Sequence, residues 1–200
     1  MAEPSAAASE AGALRAELQQ VRLEREALAR RVLELEQQVA PQPSFISVAT
    51  VASFEDSFRV EQSRAKRQRL ALSMALVELD GLQDLRDRLG HAAGEAALEH
   101  LGRLLEQSLR PTDVVTRVDG LAFGLLLTAT NLEQALAALT RLQFDVAGAP
   151  FDTGHEQAVL TLSAGLVQWR TDEALGDLLT RASRALGMAR RGGVGKVVVG

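Results

Sequence analysis

The chain has 200 residues, 46% of them apolar, with a formal net charge of −4 and no cysteine, which suits one ordinary globular domain with an appendage. The acidic excess excludes a broad footprint for nucleic acid, because displacing counterions from a phosphate backbone takes surplus Lys and Arg; the missing thiols exclude disulfides, cysteine nucleophiles and zinc–thiolate centres. The start, MAEPSAAASEAG, has neither a basic nor an apolar leader segment, and no apolar run is long enough to span a bilayer, so a cytoplasmic protein without direct membrane insertion is expected.

Residues 1–10 are small and polar and read as a disordered start. From there the apolar positions Leu14, Leu18, Val21, Leu28, Val32, Leu35 and Val39 fall at alternating steps of four and three, broken only at Arg25. That is a heptad seam. With Leu14, Val21, Leu28 and Leu35 at d and Leu18, Val32 and Val39 at a, residues 11–43 are expected to form a parallel coiled-coil homodimer, in which Glu17 faces the partner's Arg22 and Arg31 faces the partner's Glu36. A single amphipathic helix lying on the next domain is the alternative. Pro41 and Pro43 end the helix, and a folded domain is expected over residues 44–200.

Within that domain the patterns predict a helix over Val51–Arg69, a strand over Leu72–Leu79, a short helix after Asp80 and a longer one from Gly94 to Leu109. Strands over Val114–Val118 and Leu121–Thr128 are joined at Asp119-Gly120, a dipeptide that suits a two-residue hairpin turn. A helix over Leu132–Phe144, a strand over Val159–Trp169, a helix over Glu173–Arg190 and a strand over Lys196–Val199 follow. Strands interleaved with helices around a tight hairpin indicate an α/β sandwich with a mostly antiparallel central sheet. Trp169 is expected in the core or at its rim, and His91, His100 and His155 lack the neighbours of a metal site or a nucleophilic triad.

Four strings carry a family resemblance: VELDGLQDLRDRLGHAAGEAAL from Val77, RVDGLAFG from Arg117, LTLSAGLVQW from Leu160 and RASRALGMARRGGVGKVVV from Arg181. In this order and at these spacings they resemble the GGDEF domain of diguanylate cyclases, over about residues 44–200. The resemblance implies the nucleotide-cyclase-like sandwich. It also implies a chemistry, the joining of two GTP molecules into cyclic di-GMP, a phosphoryl transfer that needs divalent metal and the carboxylates that hold it. Here the signature reads Asp119-Gly120-Leu121-Ala122-Phe123, with apolar side chains where the family has carboxylates, and hard cations take oxygen ligands. Glu78 stands for the other metal-binding aspartate, Arg86 for the guanine-binding Asn and Glu95 for its partnering Asp, while Arg190 replaces a phosphate-facing Lys and Val194 the Arg that follows. Upstream, PSFISVATVAS keeps none of the family's polar signature. On this reading the domain is a degenerate member, not an enzyme, with no metal and no cofactor.

Arg110-Pro111-Thr112-Asp113 forms an R-x-x-D where the family places its inhibitory site for cyclic di-GMP, alignment from Phe123 puts the site's second arginine at Arg141, and the resemblance implies Arg64 for a third arginine, which in the family often comes from a neighbouring domain. Guanidinium forks onto guanine or phosphate oxygens, and a carboxylate accepts from the guanine N1 and N2 donors. The expected function is therefore a non-enzymatic cyclic di-GMP receptor that signals through an unidentified protein partner. Three alternatives stay open: a nucleotide-independent dimeric scaffold, in which Arg110 and Asp113 only close a surface turn; a GTP-binding regulatory domain; and an active cyclase.

Overall fold

The computed structural model describes residues 51–118, 120–153 and 157–200, within the unit Ile46–Gly200. The heptad residues Leu14 to Val39 and Asp119 of the hairpin lie outside the described residues. In chain order the elements are α1 (Val51–Gln68), β1 (Leu72–Leu79), α2 (Leu82–Leu89), α3 (His91–Ser108), β2 (Val114–Arg117), β3 (Ala122–Thr128), α4 (Leu132–Gly148), β4 (Phe151–Asp152), β5 (Gln157–Ala158), β6 (Leu162–Gln168), α5 (Leu175–Arg191) and β7 (Val197–Val199). No described helix is long and apolar enough to cross a membrane.

Five strands form the main sheet in the order β2-β3-β1-β6-β7. Every pairing is antiparallel except β6 with β7. Side chains of a strand point alternately to the two faces, and β1 uses both. Ala75, Val77 and Leu79 join a core with Leu98, Leu101 and Leu105 of α3 and Leu139 and Leu142 of α4. Leu72, Met74 and Leu76 join another with Phe54 and Phe58 of α1 and Leu178, Ala182 and Leu186 of α5. A sheet covered on both faces has no solvent side to mark with polar residues, which is why β1 reads LSMALVEL.

Two local devices set the helices. Asn131 caps α4: its side chain accepts from the Gln134 amide at 2.9 Å and the Gln134 side chain accepts from the Asn131 amide at 3.1 Å, a reciprocal capping box. At Gly165 of β6 the backbone of α5 comes so close that a Cβ there would lie 2.2 Å from both the Ala182 oxygen and the Leu186 nitrogen.

The structure corrects several boundaries. The longer helix α3 starts at His91, because Gly90, at φ 87°, ends α2 and begins α3 together; Gly94 lies inside it. The Val118 amide donates to the Ala122 carbonyl at 2.8 Å, and the strand expected from Leu121 starts at Ala122. The strand expected from Val159 starts at Leu162, and α4 runs to Gly148. The β4–β5 pair, two residues per strand, is too short to leave a periodic signal. Trp169 is buried and donates from its indole to the Glu173 carbonyl at 3.0 Å.

Candidate functional site: a charged cleft and an arginine surface

A cleft of about 350 Å³ opens where the end of β1 turns into α2, lined by Glu78, Asp80, Asp84, Arg86, Leu121 and Arg190 among others. Glu78 Oε2 lies 3.2 Å from Arg190 Nη1, so a guanidinium from α5 already faces this carboxylate. Asp80, which sequence reasoning did not single out, is a structural tie: one oxygen accepts from Ser163 Oγ at 2.7 Å and the other from the Gly195 amide at 2.8 Å. It holds the turn into β7 against the sheet. Of the signature residues, Gly120 has φ +81°, Leu121 is partly exposed at the cleft, and Ala122 and Phe123 are buried in the sheet.

Beyond the cleft wall three elements meet on one carboxylate. Glu95 of α3 accepts from Arg86 Nη2 at 2.7 Å and from Arg117 Nη1 and Nη2 at 2.9 and 3.2 Å, and Arg117 also donates through Nε and Nη2 to the Gly120 carbonyl. Gly94 makes this possible, since a Cβ there would collide with the Arg86 stem. Burial pushes the Glu95 carboxyl up, but hydrogen bonds and charge from Arg117 and then Arg86 outweigh it and hold it below the usual carboxylate range. Arg86 Nε is buried with no hydrogen-bond partner, so this guanidinium is under-satisfied. Arg86 and Glu95 are thus brought together, engaging each other with the groups that the resemblance assigns to guanine. Arg117 was missed by sequence reasoning; its partner lies 22 residues away.

The divalent cation of the family's chemistry does not fit the described side chains. Glu78 faces Arg190, Leu121 and Ala122 offer no side-chain oxygen, and among the described residues no three His, Cys, Asp or Glu converge as a metal site would need.

The R-x-x-D lies elsewhere, in the turn after α3. Asp113 closes that turn: its Oδ2 accepts from the Arg110 amide at 3.2 Å, its Oδ1 from the Thr128 amide at 3.0 Å, and its own amide donates to the Arg110 carbonyl at 2.9 Å. The Arg110 side chain takes no part, and among the described residues its guanidinium has no hydrogen-bond or ion-pair partner. Arg141 of α4 donates to the Ser108 carbonyl at 3.1 Å, two residues before Arg110. The fold therefore brings Arg110, Asp113 and Arg141 to one end of α3. Arg64 forms an ion pair, at 3.6 Å, with Glu61 of the same helix.

A mostly antiparallel sheet between two helical layers, with a cleft at the end of its central strand, is the GGDEF-like class of α/β fold. Diguanylate cyclase SiaD from Pseudomonas aeruginosa, solved with its activator SiaC, superposes with a TM-score of 0.74 at 25% identity over 96% of this chain and 78% of that one. The GGDEF domain of DgcB from Caulobacter crescentus, solved in complex with c-di-GMP, superposes at 0.72 over 80% of this chain and 95% of that one; at 18% identity it speaks for the fold alone. The family model described as "Diguanylate cyclase, GGDEF domain" matches residues 48–196, and the chain belongs to that family. Diguanylate cyclase DgcP of Pseudomonas aeruginosa is 35% identical over 68% of this chain, and the probable diguanylate cyclase DgcE of Escherichia coli 31% identical over 76%. The chain corresponds to only 21% and 14% of those two proteins' lengths.

These relatives overturn the sequence expectation that the chain is not an enzyme, since family and relatives alike carry the name of diguanylate cyclase. That expectation rested on replaced residues, Leu121 and Ala122 together with Glu78, Arg86, Glu95, Arg190 and Val194, whereas the cleft itself is still lined by the charged side chains of Glu78, Asp80, Asp84, Arg86 and Arg190.

Proposed function

We propose that this GGDEF domain binds cyclic di-GMP on the surface made by Arg110, Asp113 and Arg141, in the cytoplasm, and relays binding through protein contacts. The observation that carries this reading is the exposed Arg110 guanidinium, which has no partner among the described residues and stands beside a second arginine, Arg141, held at the end of α3. Two guanidiniums on one small surface repel each other and suit a doubly charged ligand with planar acceptor edges. Asp113 keeps lone pairs for guanine donors, because each carboxylate oxygen accepts more than one hydrogen bond. In the same reading residues 11–43 pair two copies, and a two-fold ligand bridging two domains alters their mutual orientation and so the surface offered to a partner.

The test is calorimetric titration of the full chain with cyclic di-GMP, repeated with Arg110→Ala and Arg86→Ala. The reading expects binding lost in the first and kept in the second. A second reading, GTP held in the cleft, is favoured by the two arginines, Arg86 and Arg190, that line it. It gains if Arg86→Ala removes nucleotide binding and Arg110→Ala does not, and product analysis after incubation with GTP and magnesium shows whether the cleft turns nucleotide over.

A further inference from the structure

Phe54, Phe58, Phe123 and Phe151 are all at most 6% exposed, whereas Phe144 is 74% exposed. It stands on α4, whose Leu139, Leu142 and Val146 face the core, and it follows Arg141 by three residues, a spacing that places both side chains on neighbouring parts of the helix surface. The orientation of that surface is pinned. Arg141 donates to the Ser108 carbonyl at 3.1 Å and Asp145 accepts from Ser108 Oγ at 3.0 Å, so this side of α4 lies against the end of α3, next to the turn that carries Arg110. An aromatic ring in water, one helical turn along from the Arg141 that is held at the end of α3, matches a ligand that has phosphates and flat bases together, because every base offers a π face and stacking needs no particular hydrogen-bond pattern.

We infer that Phe144 is the stacking platform for a guanine base of a dinucleotide whose phosphates or base edges are held by Arg110 and Arg141. This rests on the binding surface proposed above and adds to it a residue that no charge pattern singles out. Exposure also makes Phe144 replaceable without disturbing the core. Calorimetric titration of the full chain with cyclic di-GMP, for wild type, Phe144→Ala, Phe144→Tyr and Arg110→Ala, tests it. Phe144→Ala is expected to weaken binding by about tenfold, the order of one base stack, and Phe144→Tyr, which keeps the ring, to restore it. If Phe144→Ala binds like wild type while Arg110→Ala does not bind, the platform is wrong and the arginine surface stands. If Phe144→Tyr is as weak as Phe144→Ala, stacking is not the cause and the inference fails. If Arg110→Ala binds like wild type, the arginine surface itself is misplaced, and if wild type does not bind, both readings fall.

Discussion

Arg117 and Glu95 form a fork-to-fork pair, Nη1 to Oε2 at 2.9 Å and Nη2 to Oε1 at 3.2 Å. Because Arg117 also holds the Gly120 carbonyl and Glu95 also holds Arg86, one carboxylate ties the signature hairpin, α3 and α2 together. Such bidentate pairs fix geometry as well as adding energy.

The pH dependence of stability follows from the sign of the Glu95 shift. Its folded-state pKa lies below the ordinary glutamate value of 4.5, so its contribution is fully present above that value and is lost as pH falls through the lower, folded one. Glu106, raised by burial, acts in the opposite sense. The informative quantity is therefore the difference between wild type and Glu95→Gln in urea unfolding across the acid range: the gap is expected to be widest near neutral pH and to close on acidification. A gap that stays constant down to the lowest pH would show that the Glu95 charge is not what binds these elements.

Gly165→Ala should destabilise the domain by about 1–3 kcal/mol or more, the usual cost of overpacking a filled core, because the new methyl meets α5 backbone, which cannot swing aside as a side chain can. Thermal unfolding of the variant checks this, and an unchanged midpoint would mean that α5 is free to retreat from β6.

Much of the fold was legible because both faces of the sheet are buried and its strands are therefore apolar throughout, as β1 and β3 show. The helices were legible from periodicity and, for α4, from the Asn131 and Gln134 cap. What was not legible depends on distant partners. The dipeptide Asp119-Gly120 signals a turn but not the pairing of Val118 with Ala122. The R-x-x-D string placed Arg110 and Asp113 together, yet nothing local shows that the Asp113 carboxylate is engaged by Thr128, 15 residues on, or that Arg117 closes on Glu95.

That engagement changes what an Asp113 variant reports. Asp113→Ala should cost about 1–3 kcal/mol of stability even without ligand, since it strips an acceptor from the Arg110 and Thr128 amides. Chemical denaturation alongside calorimetry separates this loss from any loss of binding; a variant as stable as wild type would show that water replaces the carboxylate at no cost.

The heptad seam predicts a dimer for the full chain, and Leu28→Asp with Leu35→Asp should give monomers, since a carboxylate at d would be buried against its twin without a partner. Light scattering at tens of micromolar, roughly the concentration at which weak association becomes visible, decides. A monomeric wild type would refute the coil.

The most direct test of the arginine surface is the conservative replacement Arg110→Lys, which keeps the charge and removes the planar fork. Calorimetric titration with cyclic di-GMP should show wild-type binding and, for Arg110→Lys, a loss of about tenfold or more, the contribution of one charge-assisted contact. Equal affinity of lysine and arginine at position 110 would contradict the account, because the site would then be reading charge alone and not the shape of a guanine or phosphate edge.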